Sequence, residues 1–326
     1  MSNLASTYLK QGRLEEAVQL GVQVIGTCKT KLGEDHPDTV YSMGNLASTY
    51  RNQGWWEEAD NLASIYRNQG RLEEAEQLEI QVMEASKAKL GEDHPDTLSS
   101  VSNLAATYLT QGRWEEAEEL RVQVIETRKA RLGEDHPDTL NSMSNLAFTY
   151  RNQGRLEEAE QLEVQVMEAS KAKLGADYPD TLNSMSNLAA TYLTQGRWEE
   201  AEELGVQVIE TRKAKLGEDH PDTLNSMGNL AATYLKQGRW EQVEQLLVQV
   251  METHRAKLGE DHPDTLNSMA NVASTWKFLG HDAKAIDLLR DCLTKQKQTF
   301  GQNHLTTLSN SRTLLSWEME SPGMND

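Results

Sequence analysis

The chain has 326 residues, with 32 Lys and Arg against 51 Asp and Glu, for a formal net charge of −19. That balance opposes contact with phosphate backbones, which needs clustered cations, so no nucleic-acid partner is expected. No apolar run approaches the roughly 20 residues that span a bilayer, and Cys28 and Cys292 are too few for a disulfide framework or a metal site, so neither a membrane partner nor a cofactor is expected and a reducing, cytoplasmic setting is the simplest one.

The apolar fraction of 37% lies under the roughly 45–50% of ordinary globular chains and fits an elongated protein with a narrow core. Repetition explains it. The phrase LG-x-D-x-PDT places its glycine at Gly33, Gly91, Gly133, Gly175, Gly217 and Gly259, and a decayed copy, GQNHLTT, begins at Gly301. Five of the six intervals are 42 residues, a period that marks a solenoid.

In chain order, Met1 falls in the middle of a first helix, so the first unit is incomplete. The next interval, Gly33 to Gly91, is 58 residues, because Asn61 to Glu76 nearly copies Asn45 to Asp60. Sixteen extra residues supply one helix and not a hairpin, so an additional helix is expected near 55–68, with one of Trp55 and Trp56 exposed and a break in packing around it.

The unit from Asp177 to Gly217 gives the mechanics. Pro179 suits a first helical turn, and Asp180 there opposes the positive end of the helix dipole. Met185, Leu188, Ala189 and Tyr192 recur at helical spacing, then Gln195-Gly196 breaks the helix. A second helix opens at Arg197-Trp198 with four glutamates near its start. Its apolar line is Trp198, Ala201, Leu204, Val208 and Leu216, and Arg212, Lys213 and Lys215 lie near its negative end. The unit is a helical hairpin that buries one face and needs stacked neighbours for the rest. Trp114, Trp198 and Trp240 are expected to be buried between the helices of their units. The array of about seven units is expected to fill residues 1–303, with a polar capping helix at 304–319 and a tail at 320–326.

Leu188, Ala189, Tyr192, Gly196, Trp198 and Ala201 are arranged as in the tetratricopeptide repeat. The long second helix, the 42-residue period and the junction LGEDHPDTLNSMSNLA resemble the kinesin light chain variety of that family. Similar near-identical arrays stand behind nucleotide-switch modules in fungal NB-ARC and NACHT receptor-like proteins. The resemblance implies an all-α, right-handed α-solenoid, a superhelix of stacked helical hairpins. It also implies a concave groove lined by the first helices. The family's clamp for chaperone tails uses Lys and Asn where this chain has Ser186 and Ala190, which counts against a co-chaperone role.

No motif here carries catalysis. The tripeptide HPD, at His36, His94, His136, His220 and His262, recurs once per junction, which suits a helix start and cannot converge on one metal. The glutamate clusters fall at helix starts and face solvent. The candidate site is instead the polar stripe of each first helix: Asn103, Asn145, Asn187, Asn229 and Asn271, with Asn141, Asn183, Asn225 and Asn267 one turn earlier. An amide both donates and accepts, so such a ladder could pair with the backbone of an extended peptide; it could equally be a solvated spacer. Phe148 and Arg151 break the ladder's uniformity and could set selectivity. The expected function is a non-catalytic scaffold for a protein or peptide segment. The alternative is an architectural or self-associating array of a larger receptor or motor adaptor.

Overall fold

In the computed structural model the described residues are 14–32, 63–64, 66–67, 70–302 and 304–320. Thirteen helices are bounded within them, and no strand occurs among the described residues. They are α1 (Leu14–Leu32), α2 (Leu72–Leu90), α3 (Pro95–Thr110), α4 (Trp114–Leu132), α5 (Pro137–Asn152), α6 (Leu156–Leu174), α7 (Pro179–Gln195), α8 (Trp198–Leu216), α9 (Pro221–Lys236), α10 (Trp240–Leu258), α11 (Pro263–Phe278), α12 (Asp282–Thr299) and α13 (Leu305–Glu320). The fold is an all-α solenoid in which first helices of 16 or 17 residues alternate with second helices of 18 or 19. The chain divides into two compact units, Met1–Ala169 and Ser170–Asp326. Among the described residues no helix is long and apolar enough to cross a membrane.

The HPDT junction folds as a closed device. Nδ1 of His94, His136, His220 and His262 accepts the backbone N–H of the aspartate two residues on, at 3.2 Å each, so the histidine is the N-cap. The threonine after that aspartate donates its hydroxyl back to the junction glycine's carbonyl, as Thr139 does to Gly133 at 2.9 Å and Thr265 to Gly259 at 2.8 Å. Gly133 has φ +96°, a backbone state that a side chain would strain. These bonds satisfy groups that helix ends otherwise leave open.

In unit Met1–Ala169, Leu98, Val101 and Val124 form one core cluster. Ile125, Leu140, Met143, Leu146 and Val166 form the next. In unit Ser170–Asp326 the same positions recur as Ile209, Leu224, Met227, Leu230 and Val250. The first cluster joins α3 to α4, and each of the other two joins a second helix to the following hairpin, so the core of each unit is a series of nearest-neighbour seams.

The expected burial of the tryptophans is corrected. Trp114 and Trp198 are 38% and 36% exposed. Three residues later, Ala117 and Ala201 are fully buried, so the covered part of that face begins at the small residue and the indoles lie at its edge. Trp240 is half-buried because it stacks on Phe278, ring centroids 3.5 Å apart. Leu216, read as part of the same apolar line, is exposed as well.

The Gln-Gly-Arg turn does more than break the helix. Gln153 and Arg155 both donate to Glu118 of the preceding second helix, at 2.9 and 2.7 Å, while the Arg155 guanidinium lies 4.0 Å over the Tyr150 ring. Gln111 and Arg113 hold Glu76 in the same way, and Gln237 and Arg239 hold Glu202. In α11 the set is replaced by one bond, from Trp276 Nε1 to Glu244 at 2.7 Å.

The expected extra helix falls largely outside the described residues, as do Trp55 and Trp56. Ala63, Ser64, Tyr66 and Arg67 are helical, with Ala63 and Tyr66 buried. The first helix of the incomplete first unit and the tail after Glu320 also lie outside.

Candidate functional site

The stripe is built from positions one turn apart on each first helix. On α5 these are Asn141, Asn145, Phe148 and Asn152, all exposed, while Leu140, Met143, Leu146 and Ala147 between them are buried. On α9, Asn225, Asn229 and Ala232 are exposed, followed by Leu235. On α11, Asn267, Asn271, Ser274 and Phe278 are exposed. On α7, Asn183 and Thr194 are exposed and Asn187 is half-buried; on α3, Asn103 is half-buried and Ser99 replaces the earlier asparagine. In unit Ser170–Asp326, α7 also touches α9, so first helices one repeat apart are direct neighbours.

The amides are not all idle. Asn183 Oδ1 accepts from Arg212 Nη2 at 2.6 Å. The same guanidinium donates to the Asp222 carbonyl and to Ser226 Oγ at the next helix start, at 3.0 and 2.6 Å. Arg128 holds the Asp138 carbonyl and Ser142 likewise. Burial lowers the proton affinity of both arginines, with a nearby aspartate opposing it.

Arg151 is turned inward. Its Nη1 reaches Glu163 Oε1 at 3.3 Å, and its guanidinium lies 5.1 Å from the Phe148 ring centroid. Glu163 is buried. Phe148 itself is 45% exposed and is the larger apolar surface that the stripe offers on α5.

Sequence reasoning missed the position twelve residues after Arg151. It holds Glu163 there, and Glu79, Arg121, Gly205, Leu247 and Leu289 in the other units. Arg67 pairs with Glu79 at 3.1 Å and also donates to the Asn103 carbonyl and to Thr107 Oγ1, at 3.2 and 3.3 Å. Arg121 donates to the Asn145 carbonyl and to Thr149 Oγ1. It has no carboxylate partner among the described residues, and burial pushes its pKa down to about 10. The signal was in the chain: Arg stands twelve residues before both glutamates, Leu before Gly205, Leu247 and Arg121, and Lys277 before Leu289.

The remaining chemistry is quiet. Cys292 is buried, and its Sγ–H donates to the Leu266 carbonyl. Burial pushes the thiol up to about 12, far from a reactive thiolate. Among the described residues no group of His, Cys, Asp and Glu is placed to hold a metal ion.

Alternating helices, a 42-residue hairpin and a polar stripe on α3, α5, α7, α9 and α11 define a helical-repeat solenoid. The tetratricopeptide repeat model matches residues 57–130, 100–172, 138–214, 180–256 and 234–298, and a second model of the same repeat matches residues 1–38; the chain belongs to the tetratricopeptide repeat family. Among solved structures it is similar to the nearly identical TPR-like repeats assigned to a kinesin light chain of Podosopora anserina, in a single-substitution variant. That match has 32% identity over 65% of this chain and 97% of that one, with a TM-score of 0.52. BtubC (BKLC) from P. vanneervenii matches at 19% identity, covering 77% of this chain and 94% of that chain, TM-score 0.52. A Rap protein complexed with Competence and Sporulation Factor matches at 12% identity, covering 98% and 96%, TM-score 0.51; both share the fold. Comparison with curated proteins gives no match.

Proposed function

We propose that the first-helix stripe is a non-catalytic groove for an extended peptide segment of a partner protein. The observation that carries this reading is the exposed asparagine ladder, Asn141 and Asn145 on α5, Asn225 and Asn229 on α9, and Asn267 and Asn271 on α11. A helix face that needs only solubility is served by any polar residue. A repeated amide, with its two donors and one acceptor, matches the alternating groups of an extended backbone. Phe148 supplies an apolar anchor on the stripe of one unit and Phe278 on that of the other, and aromatic anchors carry much of the binding energy in such interfaces. The family is an interaction scaffold.

The test is a screen of the full chain against an array of random-sequence peptides, followed by titration of the strongest. Changing Asn145, Asn229 and Phe148 together to alanine should weaken binding by about 2–4 kcal/mol, from lost backbone pairing and one lost aromatic anchor. Binding that the triple variant leaves unchanged would overturn the reading, as would an array on which no peptide binds.

A further inference from the structure

The earlier row of ladder amides is uniform in sequence and unequal in structure. In unit Ser170–Asp326 it consists of Asn183 on α7, Asn225 on α9 and Asn267 on α11, all exposed. Among the described residues no hydrogen bond holds the amide of Asn225 or Asn267, so each is free to turn either end outward. Asn183 differs. Its Oδ1 accepts from Arg212 Nη2 at 2.6 Å. Arg212 is buried in α8, and its Nη1 is spent on the start of α9, on the Asp222 carbonyl and Ser226 Oγ. One guanidinium thereby ties α7 to α9, the pair of first helices that touch.

A guanidinium carries five N–H donors and no acceptor, so it can hold an asparagine only by the amide oxygen. The Nδ2 group of Asn183 is therefore the outer end. It makes no hydrogen bond among the described residues and is not closed off from solvent. The next two repeats have His254 and Gln296 at the position of Arg212. His254 Nδ1 lies 3.4 Å from Ser268 Oγ, and Gln296 Oε1 accepts from Asn310 Nδ2 at 3.0 Å. Each serves the following first helix and leaves the ladder amide unheld.

We propose that Arg212 is a positioning residue that gives the groove one rung of fixed polarity. At Asn183 the groove offers donors only, so the bound segment must place a carbonyl oxygen there. Asn225 and Asn267 can each meet a carbonyl, an N–H or both. The fixed rung sets where along the stripe an extended segment sits. Because its amide is already oriented, it binds without the loss of side-chain freedom that the other rungs incur. This inference rests on the groove reading and names the residue that sets the register within it.

Nuclear magnetic relaxation of side-chain amides in the full chain, without ligand, reads the orientation directly. The Asn183 amide should be rigid on the nanosecond timescale and those of Asn225 and Asn267 mobile. Arg212→Ser, which copies Ser170 one repeat earlier, should release Asn183 to their level, and Arg212→Lys should keep part of the rigidity. The binding arm uses the strongest peptide from the random-sequence array. Asn183→Asp keeps an oxygen for Arg212, and with it the tie between α7 and α9, but replaces the outer donor by an acceptor. It should weaken that peptide about tenfold or more, against about threefold or less for Asn225→Asp and Asn267→Asp, which add the same charge and can still accept a peptide N–H. A role confined to helix packing predicts no loss for Asn183→Asp. Equal losses at the three rungs, no loss at Asn183, or an Asn183 amide as mobile as that of Asn225 would overturn this proposal and leave the groove reading standing. An array on which no peptide binds, with the Asn183 amide rigid, would overturn the groove reading and this proposal with it.

Discussion

Arg155 Nη1 lies 2.7 Å from Glu118 Oε2, joining the start of one second helix to the body of the one before it. Burial alone would raise the Glu118 carboxyl, but hydrogen bonds from Arg155 and Gln153 overcome it and hold the group below its ordinary 4.5. Glu76 and Glu202 behave alike, with Arg113 and Arg239 as partners. A carboxyl depressed in the folded state contributes stability that is present above the unfolded value and lost as pH falls through the folded one. The melting temperature should therefore stay flat above about pH 5 and fall below it. Glu118→Gln with Glu202→Gln should flatten that acid limb while costing about 1 kcal/mol or less each near neutrality, since these pairs are partly exposed. Melting curves across pH on both proteins check this; an unchanged acid limb would count against the clasp.

The Arg151–Glu163 pair is deeper, and its cost can be measured against the chain's own alternatives. Leu235 and Leu247 hold the same two positions elsewhere. Glu163→Leu strips a mostly buried guanidinium of this carboxylate and should cost about 3 kcal/mol. Adding Arg151→Leu copies the Leu235 and Leu247 arrangement and should recover stability to within about 1 kcal/mol of the parent. Chemical denaturation of the two single variants and the double closes the cycle. Additive losses in the double variant would mean the two side chains are not a unit.

Tyr178 is the exception among the caps. It sits at the N-cap of α7, yet its side chain makes no capping bond, where His136 and His220 accept from the following aspartate. Tyr178→His should restore that acceptor and stabilise the α7 start by about 0.5–1 kcal/mol, and His136→Ala should remove as much from α5. Hydrogen exchange at the first turns of the two helices reads each effect locally. Unchanged protection in both would show the cap to be energetically idle.

Helix boundaries were legible because they rest on local chemistry. Pro179 with Asp180 and the glycine at the end of each hairpin constrain their own neighbours, and α7 and α8 start where those residues say. The stripe was legible for the same reason, since helical spacing alone decides which residues share a face. What spacing could not reveal was depth. Trp198 and Ala201 sit on one apolar line, yet Ala201 is fully buried while the indole stays partly exposed. Nor could it reveal partners outside the hairpin. Arg155 reads as a solvated helix start until Glu118, thirty-seven residues away, comes beneath it. Arg151 reads as a groove residue until the fold turns it onto Glu163.

The duplicated segment gives the last prediction. Arg67 belongs to the second copy, and it reaches Glu79 in α2 and then Asn103 and Thr107 in α3. That is the relation of Arg151 to Glu163, at the same twelve-residue separation. The second copy therefore supplies the first-helix tail that α2 needs, with Ala63 and Tyr66 buried alongside. Arg51, its counterpart in the first copy, stands twenty-eight residues before Glu79, sixteen too many. Deleting Asn45 to Asp60 removes those sixteen, keeps Arg67 and its contacts, and restores a 42-residue interval from the first junction glycine to the second. The shortened chain should fold, retain the far-ultraviolet signal of an all-α protein, and melt at or above the parent temperature. Its hydrogen exchange over α2 and α3 should match that of the parent, because their partners are retained. A variant that fails to fold, or that loses protection in α2, would mean the first copy is part of the core that supports these helices.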